Sequence, residues 1–262
     1  MTRCVLAMLL LLATSTALAQ RELSGGRTAP PPPPPAPDLT SATVSYAVDA
    51  EAAHRDPARF SLTIDLLGHA TYTAEDAAGG EQAGTKAEAA NAEEGASVPP
   101  PYRSQFDVSP ATRDRIFALA QGLDYFHGDF EFRKHTVADT GRKTFRYDDG
   151  MRHGEAVLNW SENKQMQELT NLCESIALTQ NFARRLVYQR RFDRLGLEAT
   201  LKRMEELAHA NYLSELQAIA PVLRQVAGDP GVMHVARERA NRMLDQVQAA
   251  SQPAAAPSGA RR

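Results

Sequence analysis

Residues 142–160, RKTFRYDDGMRHGEAVLNW, form two alternating segments separated by Asp149-Gly150. An Asp-Gly pair at this position predicts a β-hairpin with a two-residue type I′ turn, which would pair Phe145 with Gly154. Because side chains of a strand alternate between its faces, this register separates apolar from charged residues. The apolar face would carry Phe145, Tyr147, Gly154, Ala156, Leu158 and Trp160, and the other face Arg142, Thr144, Arg146, His153 and Glu155.

Three segments before the hairpin also have the pattern of strands. Residues 42–48 and 60–66 alternate apolar and polar side chains, as strands with one buried face do. A turn at Gly68-His69 follows, and residues 70–73 are rich in β-forming side chains. Together with the hairpin, these segments predict a small antiparallel sheet.

Two helices are predicted to pack on this sheet. Ser109 is a favourable N-cap and Pro110 has the φ angle of a first helical residue, so a helix should begin here and end near Gly122. A second core helix is predicted over residues 163–179, in a helical pattern that continues to residue 195. Their apolar stripes are Ile116, Leu119, Ala120 and Leu123 in the first helix, and Met166, Leu169, Leu172, Cys173 and Ile176 in the second.

Cys173 is the one cysteine besides Cys4. Its place in an apolar stripe favours a small buried thiol, which is the usual environment of free cysteine. A nucleophilic cysteine would require a histidine partner and a polar cleft, and the surrounding sequence indicates neither.

The region 181–249 is predicted to be helical throughout. We expect one helix after Glu198, a second kinked at Pro221, and a last helix with Asp229 as N-cap and Pro230 just inside. The predicted fold class is α+β: a small antiparallel sheet with two packing helices, followed by an all-α C-terminal helical hairpin.

The remaining segments indicate an exported protein. Residues 1–19 combine Arg3, a short apolar run and an A-x-A exit, which predicts a secretory signal peptide and a periplasmic or secreted location. Residues 20–40 form a Pro-rich linker. A disordered acidic loop over residues 74–101 is expected to interrupt an α+β domain of residues 41–180. Residues 250–262 are expected to form a disordered tail.

The triplet Asp139-Thr140-Gly141 is the one found around the catalytic carboxylate of aspartic proteases. That chemistry requires two carboxylates sharing a proton, so the triplet must occur twice or the chain must dimerise. It occurs once here, and Arg142 follows the glycine. A turn entering the hairpin is the alternative interpretation, since Asp139 and Gly141 both favour turns.

The segment HGDFEF at residues 127–132 offers a second candidate site. In a strand, His127, Asp129 and Glu131 would share one face and could hold a transition metal or act as general acids and bases. Same-face neighbours are nearly 7 Å apart, so one ion would need ligands from elsewhere. The alternative is the solvated face of a half-buried strand.

Residues 181–203 contain seven basic and two acidic residues. Tyr188, Phe192 and Leu195 fall on one helical stripe, and most of the arginines lie off it. The segment could bind anionic lipid headgroups or acidic cell-wall polymers, pair with the acidic loop, or form a solvated face. The net charge of −3 argues against a nucleic-acid binder, and no later segment is apolar for long enough to span a membrane.

The segments Leu62-Thr63-Ile64 to Tyr72, Ser109 to Leu123, and Asp139 to Gly150 resemble those of uncharacterised exported bacterial α+β domains. That resemblance covers about 100 residues, implies no functional residues, and favours a non-enzymatic role. Pro221, Asp229 and Val235-x-Arg237 are similar to a single HEAT-type helical hairpin over residues 212–248. One repeat is too few for a solenoid.

The sequence therefore predicts an exported, non-enzymatic envelope binding or scaffolding protein. Its partner would be an envelope protein or an anionic cell-surface polymer, and no cofactor is indicated. The alternative is a hydrolase, either metal-dependent around His127 and Asp129 or a dimeric aspartic protease that uses Asp139.

Overall fold

The computed structural model describes residues 42–53, 55–75 and 101–251. Several predicted segments lie outside these residues: the signal peptide, the Pro-rich linker, all but the first two residues and the last residue of the acidic loop, and nearly all of the tail.

Within the described residues, six strands form one antiparallel sheet in the order β4-β3-β2-β1-β5-β6. Helices lie mostly C-terminal to the strands, which confirms the predicted α+β class. The strands are β1 Thr43–Asp49, β2 Arg59–Asp65, β3 His69–Glu75, β4 Tyr102–Asp107, β5 Arg142–Asp148 and β6 His153–Leu158.

The first three strands follow the alternation in their sequences. Tyr46, Leu62 and Tyr72 are at most 1% exposed on the core face, and their neighbours along each strand are only half-buried. β3 also continues through Ala74 and Glu75, which composition assigned to the acidic loop. Ala74 pairs with both adjacent strands and is buried, so sheet pairing outweighs the weak β-propensity of alanine.

The sequence pattern does not predict the edge strand β4. Its side chains alternate between half-buried and exposed, so no fully buried stripe marks Tyr102–Asp107 as a strand. The six residues are extended because they complete the hydrogen bonds of β3.

The hairpin has the predicted faces but a different register. Phe145 pairs with Ala156 instead of Gly154, and Asp148 pairs with His153, so a four-residue loop replaces the two-residue turn. A shift of two residues preserves the faces, because strand side chains have a period of two. Trp160 is an exception: it lies beyond β6, is 41% exposed, and packs edge-to-face on Phe132.

The buried carboxylate of Asp149 explains the longer loop. Its Oδ1 accepts hydrogen bonds from the backbone N–H groups of Met151 (3.0 Å) and Arg152 (2.7 Å). Its Oδ2 accepts from the Tyr147 hydroxyl and from Arg152 Nε. These hydrogen bonds, chiefly those from the Arg152 and Met151 backbone, lower the pKa of Asp149 to about 2. A type I′ turn would forfeit this side-chain network.

Both predicted core helices are present. Helix α1, Pro110–Gly122, begins after Ser109, whose side chain caps Thr112 N–H as expected. Helix α2, Lys164–Phe192, is 29 residues long and is capped by Asn163. Both pack on the same face of the sheet, with their predicted apolar stripes toward it.

Three more α-helices follow: α3 Gly196–His209, α4 Ala220–Ala227 and α5 His234–Ser251. Pro221 lies in the first turn of α4 instead of kinking a longer helix, and a 3₁₀ turn precedes it. The predicted Asp229 cap is also wrong. Asp229 accepts from Gly231 N–H in a tight turn, and α5 begins only at His234.

Helix α2 contributes to two hydrophobic clusters of the described residues. Its buried side chains up to Ala177 join the sheet cluster, and those from Phe182 onward pack with α3, α4 and α5. The change from one cluster to the other falls beside the boundary predicted after residue 180, and α2 continues through it without interruption.

Candidate functional site

The triplet of residues 139–141 forms the turn that leads into β5. Asp139 Oδ1 accepts from Gly141 N–H at 2.9 Å, and Thr140 N–H donates to Asn159 Oδ1 at 2.9 Å. Gly141 has a φ of +99°, and a Cβ on it would lie 2.7 Å from the Ala50 Cβ. The turn geometry predicted for Asp139 and Gly141 is therefore present.

Asp139 and Gly141 line a cleft of about 450 Å³ together with Asp49 and Glu131. The other carboxylates of this cleft are engaged elsewhere: Glu131 Oε2 accepts from Asn159 N–H at 2.6 Å, and Asp49 faces Arg59 at 3.5 Å. Among the described residues, no carboxylate shares a hydrogen bond with Asp139. The geometry within this chain does not assemble a proton-sharing dyad.

Lys143 is a buried cation that was not predicted from the sequence. Its Nζ donates to Thr140 Oγ1 (2.7 Å), Asn159 O (2.9 Å) and Gly141 O (3.3 Å), and the residue is 7% exposed. Desolvation lowers the pKa of its ammonium group. The alternation of side chains along β5 could have predicted this burial, because it places Lys143 on the same face as Phe145. The ammonium links the two ends of the hairpin, at Gly141 and Asn159.

The second candidate cluster is not on a strand, because residues 127–132 have no regular pairing. His127 Nδ1 lies 2.9 Å from Asp124 O, and Asp129 pairs with Arg133 at 3.1 Å. Glu131 holds the backbone of Asn159. Across residues 42–53, 55–75 and 101–251, no group of three or more His, Cys, Asp or Glu side chains is arranged to hold a metal ion.

Cys173 is 1% exposed on the sheet-facing side of α2, as predicted. Burial, reinforced by the neighbouring carboxylate of Glu174, raises the pKa of the thiol well above its ordinary value. The site therefore disfavours the thiolate that a nucleophile would need.

A half-buried ion pair joins α2 to the connection between β1 and β2. Glu174 Oε1 accepts from the Tyr46 hydroxyl at 2.6 Å and from Arg55 at 3.1 Å, and its Oε2 accepts a second hydrogen bond from Arg55. Burial opposes ionisation, but the hydrogen bonds and positive charge of Arg55 outweigh it, so the pKa of Glu174 is lowered. This pairing of residues more than 100 positions apart is invisible to periodicity.

Asp56 in the β1–β2 connection forms a second link to the same helix. Its carboxylate accepts from Arg184 and, at 2.6 Å, from Arg185, and its carbonyl oxygen accepts from Asn181 Nδ2 at 3.0 Å. One carboxylate thus faces two guanidinium groups.

The end of α2 and the turn after it expose large apolar side chains. Tyr188 and Phe192 have ring centroids 5.0 Å apart, and the Arg191 guanidinium lies 5.0 Å from the centre of the Phe192 ring. Phe192 is 63% exposed and Leu195 is 76% exposed. We call this the aromatic–arginine surface: Val187, Tyr188, Arg190, Arg191, Phe192, Arg194 and Leu195.

The arginines of this surface exceed its carboxylates. Arg190 and Arg194 both face Asp229 at 4.0 Å. Arg191 contacts a ring and has no carboxylate partner in the described part of the chain. The surface therefore combines contiguous apolar area with net positive charge, a combination typical of interaction sites.

Comparisons with known proteins identify no relative: no protein-family model matches the chain, and no curated protein matches it in sequence. None of the helices in the described ranges is long and apolar enough to cross a bilayer.

Proposed function

We propose that the protein is an exported, non-enzymatic binding protein of the cell envelope, and that its aromatic–arginine surface binds an anionic cell-surface polymer. The observation that carries this proposal is the exposure of Phe192 and Leu195 beside arginines that outnumber the carboxylates facing them, since Arg190 and Arg194 share Asp229. Buried aromatic and arginine side chains supply most of the binding energy in protein interfaces. The proposed export rests on the signal-peptide pattern of residues 1–19.

The arrangement suits a polyanion for two reasons. Guanidinium groups bind sulfate, phosphate and carboxylate groups bidentately, and the apolar side chains gain from losing water beside a polymer backbone. In addition, Arg191 is already stacked on Phe192, so little side-chain entropy is lost when it binds.

Binding of a soluble probe tests the proposal. We expect the protein to bind dextran sulfate and not neutral dextran, with an affinity that falls as salt is added. Replacing both Arg191 and Arg194 by glutamine should weaken binding by about tenfold or more, because two charge-assisted contacts are lost. Phe192→Ser should weaken it without changing the charge.

Arg146→Gln is the matched control. Arg146 is also exposed, pairs with Glu155 of the adjacent strand at 2.7 Å, and its replacement removes one positive charge outside the surface. An equal loss of affinity per charge removed in this variant would mean that overall charge, and not this surface, binds the polymer. Sequencing the N-terminus of the mature protein tests export separately.

A further inference from the structure

Strand β4 is an open edge of the sheet within the described residues. It pairs with β3 on one side, and no described strand lies on its other side. The pairing with β3 is continuous over Tyr102–Asp107, without a bulge or a proline. Native proteins usually protect such edges, because a regular row of unpaired N–H and C=O groups can pair with another chain. The geometry of β4 therefore suits the addition of a further strand.

The hydrogen bond from Val108 N–H to Gly68 O identifies the unpaired backbone groups of β4. This bond is 2.9 Å long and continues the β3–β4 register by one pair. Hydrogen-bonded and non-hydrogen-bonded pairs alternate along an antiparallel ladder, so the even-numbered residues of β4 bond to β3 and the odd-numbered residues do not. The N–H and C=O groups that point away from the sheet belong to Arg103, Gln105 and Asp107.

The opposite edge of the sheet, at β6, is partly covered. Glu131 Oε2 accepts from Asn159 N–H at 2.6 Å just beyond β6, and Phe132 N–H donates to Trp160 O at 2.9 Å. The segment before β5 therefore shields β6. None of the described residues covers β4 in the same way.

The exposed side chains of β4 are self-complementary in charge. Arg103, Gln105 and Asp107 are all exposed, and their alternation places them on one face of the strand. Arg103 forms no ion pair with any residue that the structure describes. Asp107 Oδ1 lies 2.7 Å from His69 Nδ1, but its side chain is 79% exposed and a carboxylate can accept several hydrogen bonds. Asp107 can therefore bind an arginine and keep its contact with His69.

We propose that β4 pairs antiparallel with β4 of a second copy of this chain, across a two-fold axis at Gln105. In this register Arg103 lies opposite Asp107 of the second copy, and the two-fold axis repeats this pair. The outward N–H and C=O groups of β4 then bond to those of the second copy, because the odd-numbered residues fall in hydrogen-bonded pairs. A slip of two residues in either direction would keep the faces but separate both charge pairs, so the charges select one register.

The other face of β4 is compatible with the same pairing. Ser104 is a small residue between Tyr102 and Phe106, which are half-buried beside the sheet cluster. In the proposed register Phe106 lies opposite Ser104 of the second copy, which leaves room for the ring. Its diagonal neighbours are Tyr102 and Phe106 of the second copy, at a separation that aromatic side chains can span. The contact thus buries apolar area on one face and pairs charges on the other.

Charge reversal tests the proposal. We expect sedimentation velocity of the wild-type chain to show a monomer–dimer equilibrium. Arg103→Asp and Asp107→Arg should each weaken dimerisation by about tenfold or more, because like charges then face each other twice. An equimolar mixture of the two variants should recover dimerisation, since every reversed charge then faces its opposite.

Three results of this experiment would overturn the proposal. One is a wild-type chain that remains monomeric up to about 100 μM. The second is dimerisation of either single variant as strong as that of the wild type, and the third is a mixture that associates no better than its components. Arg146→Asp is the matched control: it reverses an exposed charge on β5, which lies inside the sheet, and should leave dimerisation intact.

A proline locates the contact. Gln105→Pro removes an outward N–H and no hydrogen bond to β3, so it should abolish dimerisation with little change in thermal unfolding. Dimerisation that survives this change would place the contact on another surface and would overturn the proposal. β4 shares no residue with the aromatic–arginine surface, so Phe192→Ser should leave dimerisation unchanged. Dimerisation and polymer binding are therefore tested independently.

Discussion

The two halves of helix α2 lie in different environments. In the first half, Met166, Leu169 and Ile176 are fully buried against the sheet, and Glu174 is held by Arg55. In the second half, Phe182 and Leu186 are buried against α3, α4 and α5, but Tyr188 and Phe192, four residues apart, remain exposed. Apolar side chains at helical spacing are therefore buried only where another element lies opposite them, and otherwise mark a surface that can bind.

The largest difference between the halves should appear on removing a leucine side chain. Leu169 is 0% exposed and Leu195, just beyond the second half, is 76% exposed. Leu169→Ala should lower the free energy of unfolding by about 3 kcal/mol, because it leaves a cavity, whereas Leu195→Ala should change it by less than about 0.5 kcal/mol. Urea unfolding measures both. Similar losses would mean that Leu195 is covered in the folded protein.

The ion pair of the first half should give the next largest effect. Glu174→Gln removes the charge that Arg55 and Tyr46 face, and should cost about 1–2 kcal/mol at neutral pH after allowance for partial exposure.

The pH dependence of this effect has a defined sign. Because the folded-state pKa of Glu174 is lowered, its stabilising contribution is present above the ordinary glutamate pKa of about 4.3 and is lost as the pH falls toward the folded-state pKa. The wild-type and Glu174→Gln proteins should therefore approach each other in stability in acid. A difference that is constant from neutral to acid pH would contradict this account.

The smallest effect is expected where the halves meet, at Asp56. Its side chain is 50% exposed, so Asp56→Asn should cost only about 0.5–1 kcal/mol, and less at high salt. Asp129→Asn is the control, because Asp129 pairs with Arg133 within one exposed segment and links no elements. Thermal unfolding should rank Asp56→Asn as the more destabilising change. The reverse order would show that the link to α2 contributes nothing.

Sequence reasoning predicted much of the sheet and the two core helices, because those elements carry strong periods of 2 and 3.6. It did not predict the four-residue hairpin loop, since the competing side-chain network of Asp149 has no signature beyond its Asp-Gly pair. The burial of Lys143 could have been predicted from the alternation of side chains along its strand.

The N-terminus of α1 likewise has one contact that the local sequence predicts and one that it does not. Ser109 caps the helix as its sequence indicates, yet the carboxylate of Glu215 also accepts from Ser109 N–H at 2.7 Å and from its hydroxyl at 2.8 Å. Local chemistry specified the cap. The second acceptor comes from a residue 106 positions away, which no local pattern predicts.

The sequence alone determined the fold class, the faces of the hairpin and the burial of Cys173, because each follows from alternation or helical spacing within a short segment. Tertiary structure decided the strand β4, the partners of Glu174 and Asp56, and the exposure of Phe192. These features depend on which distant surface lies opposite a given side chain. Burial and charge pairing are properties of two elements in contact, whereas one segment of sequence specifies only one of those two elements.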